Sequence, residues 1–404
     1  MNQNLLHTPD GVRDIYGKEC ARKLMIEKKI REKLLSYGYE DIETPTFEYF
    51  DVFSNEIGTT PSRDLYKFFD KEGDTLVLRP DFTPSIARCA AKYFMEDSVP
   101  LRFCYCGNTF TNTSRLQGKL KEVTQLGAEL IGDDSVYADA EMIHMVIESL
   151  LHTGLENFQV SVGQVEYFKG LCEEAGLEDD VIYVLREYIS AKNHYAAENL
   201  LIEAGVSEDL RELILATTEG FGNLDAIRSA KARVSNERSV KAIENLEKLY
   251  EVLAMYGTEK YISFDLGMLS KYRYYTGVIF KVYTYGIGDA IVKGGRYDHL
   301  IEKFGKKSPS IGFAIVIDEL VSALTRQKIR IVYPRKNTII IYAEGRQLEA
   351  IRLAKDFRRK AKNAELLKKD ENSGLEDYIR YGNDYYAGSL VYIEETGEVT
   401  MVNL

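Results

Sequence analysis

The sequence predicts an α+β protein: an antiparallel sheet flanked by helices, broken by a long helical insertion and followed by a small C-terminal α/β domain. Three stretches carry that expectation. Leu101–Gly132 reads as strand, long loop, strand, because apolar alternation on both sides brackets the polar, turn-rich segment Asn108–Lys119. Glu166–Met255 is rich in Ala, Leu and Glu with little β-branched clustering, a helical pattern throughout. The last stretch runs from a buried-type strand through a helix into a hairpin. The expected boundaries are 1–325 for the core domain with its insertion at 166–255, 326–337 for a linker, and 338–404 for the C-terminal domain.

In chain order, Met1–Ile15 is a turn-rich lead-in with Pro9, Gly11 and Arg13. Glu19–Tyr37 reads as an amphipathic helix with Leu24, Ile30, Leu34 and Leu35 at helical spacing, and Gly38 is placed as its C-cap. A strand at Glu40–Thr44 follows, then Pro45 and an apolar segment through Phe53. Tyr66–Phe69 and Thr75–Arg79 form a hairpin closed by a Gly-containing turn. Pro84 suits the first turn of a helix at Ser85–Phe94. In the central stretch, Leu101, Phe103 and Tyr105 open one strand. Leu120–Ile131 is the other, its apolar residues alternating with Lys121, Glu122, Gln125 and Glu129. A polar face buried in a domain this size lines a ligand site or is satisfied internally. Asp139–Thr153 is a long helix and Asn157–Val162 a strand. After the insertion, Tyr261–Asp265 begins a strand, and Gly294–Asp298 is expected to build a turn before a short helix. In the C-terminal domain, Thr338–Tyr342 is a strand, Arg346–Asn363 a helix, and Gly388–Asn403 a hairpin turning at Thr396-Gly397. Tyr333–Asn337, with Pro334, marks the linker.

The totals restrict the class. A chain of 404 residues with 45% hydrophobic and 28% charged residues holds two or three globular domains. It has no apolar run of the roughly 18 residues that a membrane span needs, and its polar N-terminus is not expected to act as a signal peptide. Five cysteines (Cys20, Cys89, Cys104, Cys106, Cys172) fit free thiols in a reducing cytoplasm. Cys104 and Cys106 share one strand face without a further ligand nearby, which suits core or pocket lining better than metal. His144, His152 and His194 lack a metal-spaced set and read as surface or packed residues. No metal or cofactor is expected. A net charge of −11 lowers the odds of a nucleic-acid partner. From Ile331 to Leu404, 12 Lys/Arg stand against 12 Asp/Glu, without the basic excess of an RNA reader. The locally basic Lys355–Lys369 is read as a solvated helix face.

Several motifs together resemble the class II aminoacyl-tRNA synthetases in their histidyl form. Helix, YGY turn, strand and Pro45 resemble the first class II motif, which builds the dimer interface in that family. The central strand–loop–strand resembles the second: the frame Gly118-Lys119-Leu120-Lys121-Glu122-Val123-Thr124-Gln125 is kept, but Thr111 follows Phe110 where the family has Arg. Leu78, Arg79, Pro80, Asp81 and Thr83 resemble the pattern whose acid and Thr hold the substrate's amino group, with Phe82 replacing a Gly and expected to narrow the pocket. Tyr274, Tyr275, Thr276 and Gly277 match the histidyl signature, while Ser270 stands for its Arg and Arg273 for its Asp. Gly294-Gly295-Arg296 follows as in the family and is taken as structural. Gly312, Phe313 and Ala314 match the third motif, with Glu319 in place of its Arg.

These departures have a chemical meaning. Amino-acid activation needs cations where charge develops on phosphate oxygens, and arginine supplies them bidentately. The lost arginine positions Thr111, Ser270 and Glu319 remove two such charges and reverse a third. Removing even one preorganised stabiliser typically costs about 10²–10³ in rate, so retained synthetase activity is not expected. Arg115, Lys119, Lys121 and Arg273 are the nearby cations open to compensate, although lysine is no geometric equal of arginine. The histidine-recognising set is kept: Asp81 and Glu129 for an ammonium, Thr83 and Gln125 for hydrogen bonds, Tyr274 and Tyr275 for the imidazole. A synthetase-like core without its ATP chemistry, followed by a short C-terminal unit, resembles the regulatory subunits of short-form ATP phosphoribosyltransferases. That resemblance implies a chain without its own active site. It would dimerise through the class II core, form a hetero-octamer with a short catalytic subunit, and take part in the first step of histidine biosynthesis and its feedback inhibition by L-histidine, without tRNA or membrane. The alternatives are a working histidyl-tRNA synthetase with relocated cations, and an orphan amino-acid-sensing module.

Overall fold

The computed structural model describes residues 6–54, 60–96, 99–113, 120–191, 193–217, 221–269, 274–332, 337–385 and 387–404. The chain forms two compact units. One holds Ile26–Arg330 with the lead-in through Arg13, the other Ile331–Leu404 with Asp14–Met25. Of the expected linker, 333–336 lie outside the described residues.

Helix α1 (Gly17–Ser36) buries Ile26, Ile30 and Leu34. Leu24 and Leu35, expected on that face, are instead exposed, because Ile26, Ile30 and Leu34 at i, i+4, i+8 already form the inward stripe. The expected strand after it shrinks to β1 (Glu40–Asp41), and β2 (Phe47–Tyr49) follows. β2 pairs with the hairpin of β3 (Lys67–Phe69) and β4 (Thr75–Leu78) in a three-stranded sheet. Helix α2 (Thr83–Tyr93) has Pro84 in its first turn, where a missing N–H is harmless.

Strands β5 (Leu101–Phe110) and β6 (Glu122–Ile131) form a long antiparallel ribbon, in register from Leu101 opposite Ile131 to Phe110 opposite Glu122. β5 thus extends through Asn108 into what reads as loop. Cys104 is buried and Cys106 exposed, beside Asp41 of β1 and Arg31 of α1. Helix α3 (Val136–Thr153) follows, with Ser135 Oγ accepting from Ala138 N at 3.2 Å as N-cap. His144 on this helix stacks on Tyr256 with ring centroids 4.2 Å apart, a packed histidine. Strand β7 (Phe158–Gln164) leads into the insertion: α4 (Val165–Glu174), α5 (Asp179–Ser190), α6 (His194–Glu203), α7 (Glu208–Ala216), the two-residue strand β8 (Phe221–Gly222), α8 (Leu224–Lys231) and α9 (Glu237–Met255).

The chain returns as β9 (Ile262–Asp265), β10 (Val278–Thr284), β11 (Val292–Arg296), β12 (Ser310–Val316) and helix α10 (Ile317–Arg326). The main sheet has nine strands in the order β1-β5-β6-β12-β11-β10-β7-β9-β8. Its centre, β5 to β7 in that order, is antiparallel throughout; β1 and β9 add in parallel at the two sides. The sheet is therefore mixed rather than purely antiparallel. Gly294 and Gly295, expected in a turn, lie inside β11. A Cβ at Gly294 would meet the Phe280 ring at 2.3 Å and one at Gly295 the Tyr275 ring at 2.7 Å, so the glycines make room for aromatic rings rather than for a bend.

The second unit has a four-stranded sheet in the order β14-β13-β15-β16, from β13 (Asn337–Tyr342), β14 (Asn363–Lys368), β15 (Ser389–Ile393) and β16 (Val399–Asn403). Helix α11 (Gln347–Arg359) packs against one face and α12 (Leu375–Asp384) against the other. The expected helix to Asn363 stops short, and part of its basic run is strand β14. Among the described residues no helix is long and apolar enough to cross a membrane.

Candidate functional site

Strand β6 presents Gln125 and Glu129 on one face, because alternate residues of a strand share a side. Glu129 lies opposite Gly312 on β12, and a Cβ there would stand 1.6 Å from Glu129 Oε2. Gly312 therefore makes the space in which the carboxyl sits. Glu129 is 1% exposed. Its oxygens accept from Thr83 Oγ1 at 2.7 Å and from the Tyr297 hydroxyl at 2.5 Å. Burial pushes its pKa up to about 8, against the lowering effect of these two donors.

Thr83 is held at the start of α2 by the turn that contains Asp81, whose Oδ1 accepts from Phe82 N at 2.7 Å. Beneath the turn, Arg79 donates from Nε to the Asn108 carbonyl at 2.9 Å and from Nη1 to the Thr44 carbonyl at 2.8 Å. Its guanidinium lies 4.0 Å from the centre of the Phe82 ring, which stacks on Tyr105 at 4.3 Å. Phe82 is thus core, 2% exposed among Ile86, Ala90 and Tyr105. It anchors the turn and does not narrow the pocket as its replacement of a glycine suggests.

Tyr274 and Tyr275 precede β10, their ring centroids 4.6 Å apart, and Tyr274 meets Tyr297 edge-on at 5.9 Å. All six candidate residues, Asp81, Thr83, Gln125, Glu129, Tyr274 and Tyr275, line one cavity of about 1640 Å³. The Gln125 Oε1 atom is buried there without a hydrogen-bond partner among the described residues, which is costly unless a ligand supplies a donor. Tyr297 completes the set. Sequence reasoning missed it because its hydroxyl serves a carboxyl 168 positions away; the signal was its place in the run Gly294–Asp298.

Of the positions expected to have lost an arginine, Thr111 lines the same cavity. Glu319 is in the first turn of α10, and Ser270 lies outside the described residues, as do Arg115, Lys119 and Arg273. Arg296 is no ligand group. It is 6% exposed, ion-paired to Asp139 at 2.6 Å, and it bonds the Asp133 carbonyl at 3.0 Å, tying β11 to the start of α3. The site therefore offers carboxyl, amide and hydroxyl acceptors beside tyrosine rings, a set suited to a small ligand with an ammonium group.

The family model described as Histidyl-tRNA synthetase matches residues 11–320. Curated relatives called ATP phosphoribosyltransferase regulatory subunit include one from Acetivibrio thermocellus, 43% identical over 369 residues, covering 91% of this chain and 88% of the relative. Another, from Ruminiclostridium cellulolyticum, is 39% identical over 404 residues and covers 100% and 96%. A crystal structure described as an ATP phosphoribosyltransferase regulatory subunit/histidyl-tRNA synthetase from Bacillus halodurans C superposes with a TM-score of 0.85 at 31% identity, covering 96% of this chain and 98% of that one. A histidyl-tRNA synthetase from Nostoc sp. PCC 7120, TM-score 0.79 at 19% identity with 98% and 97% covered, shares the fold.

Proposed function

This chain belongs to the histidyl-tRNA synthetase-like family of ATP phosphoribosyltransferase regulatory subunits, and we propose that it is the non-catalytic regulatory subunit of a short-form ATP phosphoribosyltransferase. In this reading it is required for the first step of L-histidine biosynthesis and for feedback regulation by histidine. A separate catalytic subunit makes phosphoribosyl-ATP. The chain dimerises through its class II core, joins that subunit in a cytoplasmic hetero-octamer, and takes no part in tRNA binding.

The observation that carries the reading is the division of chemistry on one cavity. Groups suited to an amino acid are kept (Asp81, Thr83, Gln125, Glu129, Tyr274, Tyr275), while Thr111 lines it where the synthetases have arginine. L-Histidine is the proposed ligand: its ammonium pairs with Asp81 and Glu129, a donor satisfies Gln125 Oε1, and the tyrosines face its ring. A small ligand regulates the complex only by favouring one of its arrangements over another.

Two measurements test this. Phosphoribosyl-ATP formation by the short catalytic chain is expected to rise from background only when this chain is added; no effect overturns the regulatory reading. Calorimetric titration of the chain is expected to show binding of histidine and not of ATP. Avid ATP binding with pyrophosphate exchange would return the protein to the synthetases.

A further inference from the structure

The cavity continues well beyond the six residues already described. Its floor crosses β11, β10, β7 and β9, where Lys293, Lys281, Ser161 and Ser263 stand in one cross-strand row. Lys281 is in register with Lys293 on one side and Ser161 on the other, and Ser161 with Ser263. All four line the cavity. Neighbours in such a row are about 5 Å apart. Ser161 is 3% exposed, and its hydroxyl is buried without a hydrogen-bond partner among the described residues. Buried polar atoms are normally satisfied, so this hydroxyl marks a place where a ligand atom belongs.

The charges narrow the ligand. Lys293 is shared with Asp289 at 3.4 Å, Lys281 is likewise engaged, and Asp265 and Glu187 also line the cavity. A polyanion would meet those carboxylates. A single phosphate on a hydroxyl-bearing carrier suits the set better: the ammonium groups and Ser161 hold the oxyanion, while the carboxylates accept from hydroxyls. We propose that the row Lys293–Lys281–Ser161–Ser263 is a second subsite, beside the amino-acid pocket, for a small phosphorylated sugar. It does not rest on the histidine reading and stands if histidine binds elsewhere.

Titration of the full chain with ribose 5-phosphate, inorganic phosphate and ribose tests it. Ribose 5-phosphate is expected to bind more tightly than phosphate, and ribose not measurably. Losing one charged partner should weaken the sugar phosphate roughly tenfold or more in Lys281→Ala, with Ser161→Ala a smaller loss. Histidine affinity should be unchanged in both variants, and saturating histidine should leave the sugar phosphate bound. Thermal melting checks each fold, and Lys281→Gln replaces the alanine variant if that one does not fold. Absence of ribose 5-phosphate binding, binding indifferent to Lys281, or displacement by histidine each overturns the proposal. So would equal affinity for inorganic phosphate, which would leave a bare anion site with no sugar recognition.

Discussion

Glu129 concentrates the behaviour of the site in one carboxyl. Its pKa of about 8 exceeds the ordinary 4.5 because burial penalises the charge. The folded chain therefore holds a proton that the unfolded chain releases. The stability this contributes is fully present below pH 4.5 and is lost as pH rises through about 8. Urea midpoints between pH 5 and 9 should fall with rising pH in the wild type and fall less in Glu129→Gln; parallel curves would place the proton elsewhere. An ammonium ligand favours the carboxylate, so histidine binding near pH 7 should release a proton, seen as a buffer-dependent calorimetric heat that Glu129→Gln removes. Gln125 supports a simpler prediction: Gln125→Ala should weaken histidine about tenfold, the size of one hydrogen bond to a charged group. At this scale the sequence was informative where a motif names the residue, as for Asp81 and Thr83. It was silent where a role depends on a distant partner: nothing local to Tyr297 points to Glu129, and nothing local to Phe82 shows that its ring turns inward between Arg79 and Tyr105.

At the scale of elements, the ribbon β5–β6, the hairpin β3–β4 and helix α2 were legible because alternation, a Gly turn and a first-turn proline are local signals. The end of α11 was not. It closes with Ala361 at φ 56 and Lys362 N bonded to the Phe357 carbonyl at 3.0 Å, a left-handed cap without the expected glycine. Read as continuous helix, the segment hid β14, and α12 went unrecognised after it. Strand β11 misled in the opposite direction, its glycines suggesting a turn where rings needed space. The same strand ends in Arg296, whose bond to Asp139 is buried on both sides, with side-chain exposures of 7% and 3%. Removing Asp139 takes away the buried carboxylate and leaves the guanidinium with the more exposed Asp298, 3.3 Å away, as its acidic neighbour. Asp139→Ala should destabilise the fold by ~3–5 kcal/mol in denaturant titration, and a loss within 1 kcal/mol would mean that the existing pair with Asp298, or water, suffices for the guanidinium.

For the whole molecule, the decisive question is whether assembly and sensing use the same surface. The six candidate residues and Tyr297 line a cavity inside the first unit, so changing their polarity need not alter the surfaces that meet another chain. A ligand shifts an equilibrium only by its differential affinity for the two states. A variant that cannot hold histidine but still folds should then keep activation and lose inhibition. Asp81→Ala combined with Glu129→Gln removes both acidic partners of the ammonium while leaving an acceptor for Thr83 and Tyr297. Mixed with the short catalytic subunit, this double variant should support phosphoribosyl-ATP formation within about twofold of the wild type, while the histidine concentration for half inhibition rises at least tenfold, the cost of roughly one lost charged hydrogen bond or more. Unchanged inhibition would move the effector to the partner or the interface. Loss of activation in a folded variant would mean that the pocket is part of the coupling itself, since a reciprocal linkage makes the empty and occupied pockets bias the same equilibrium.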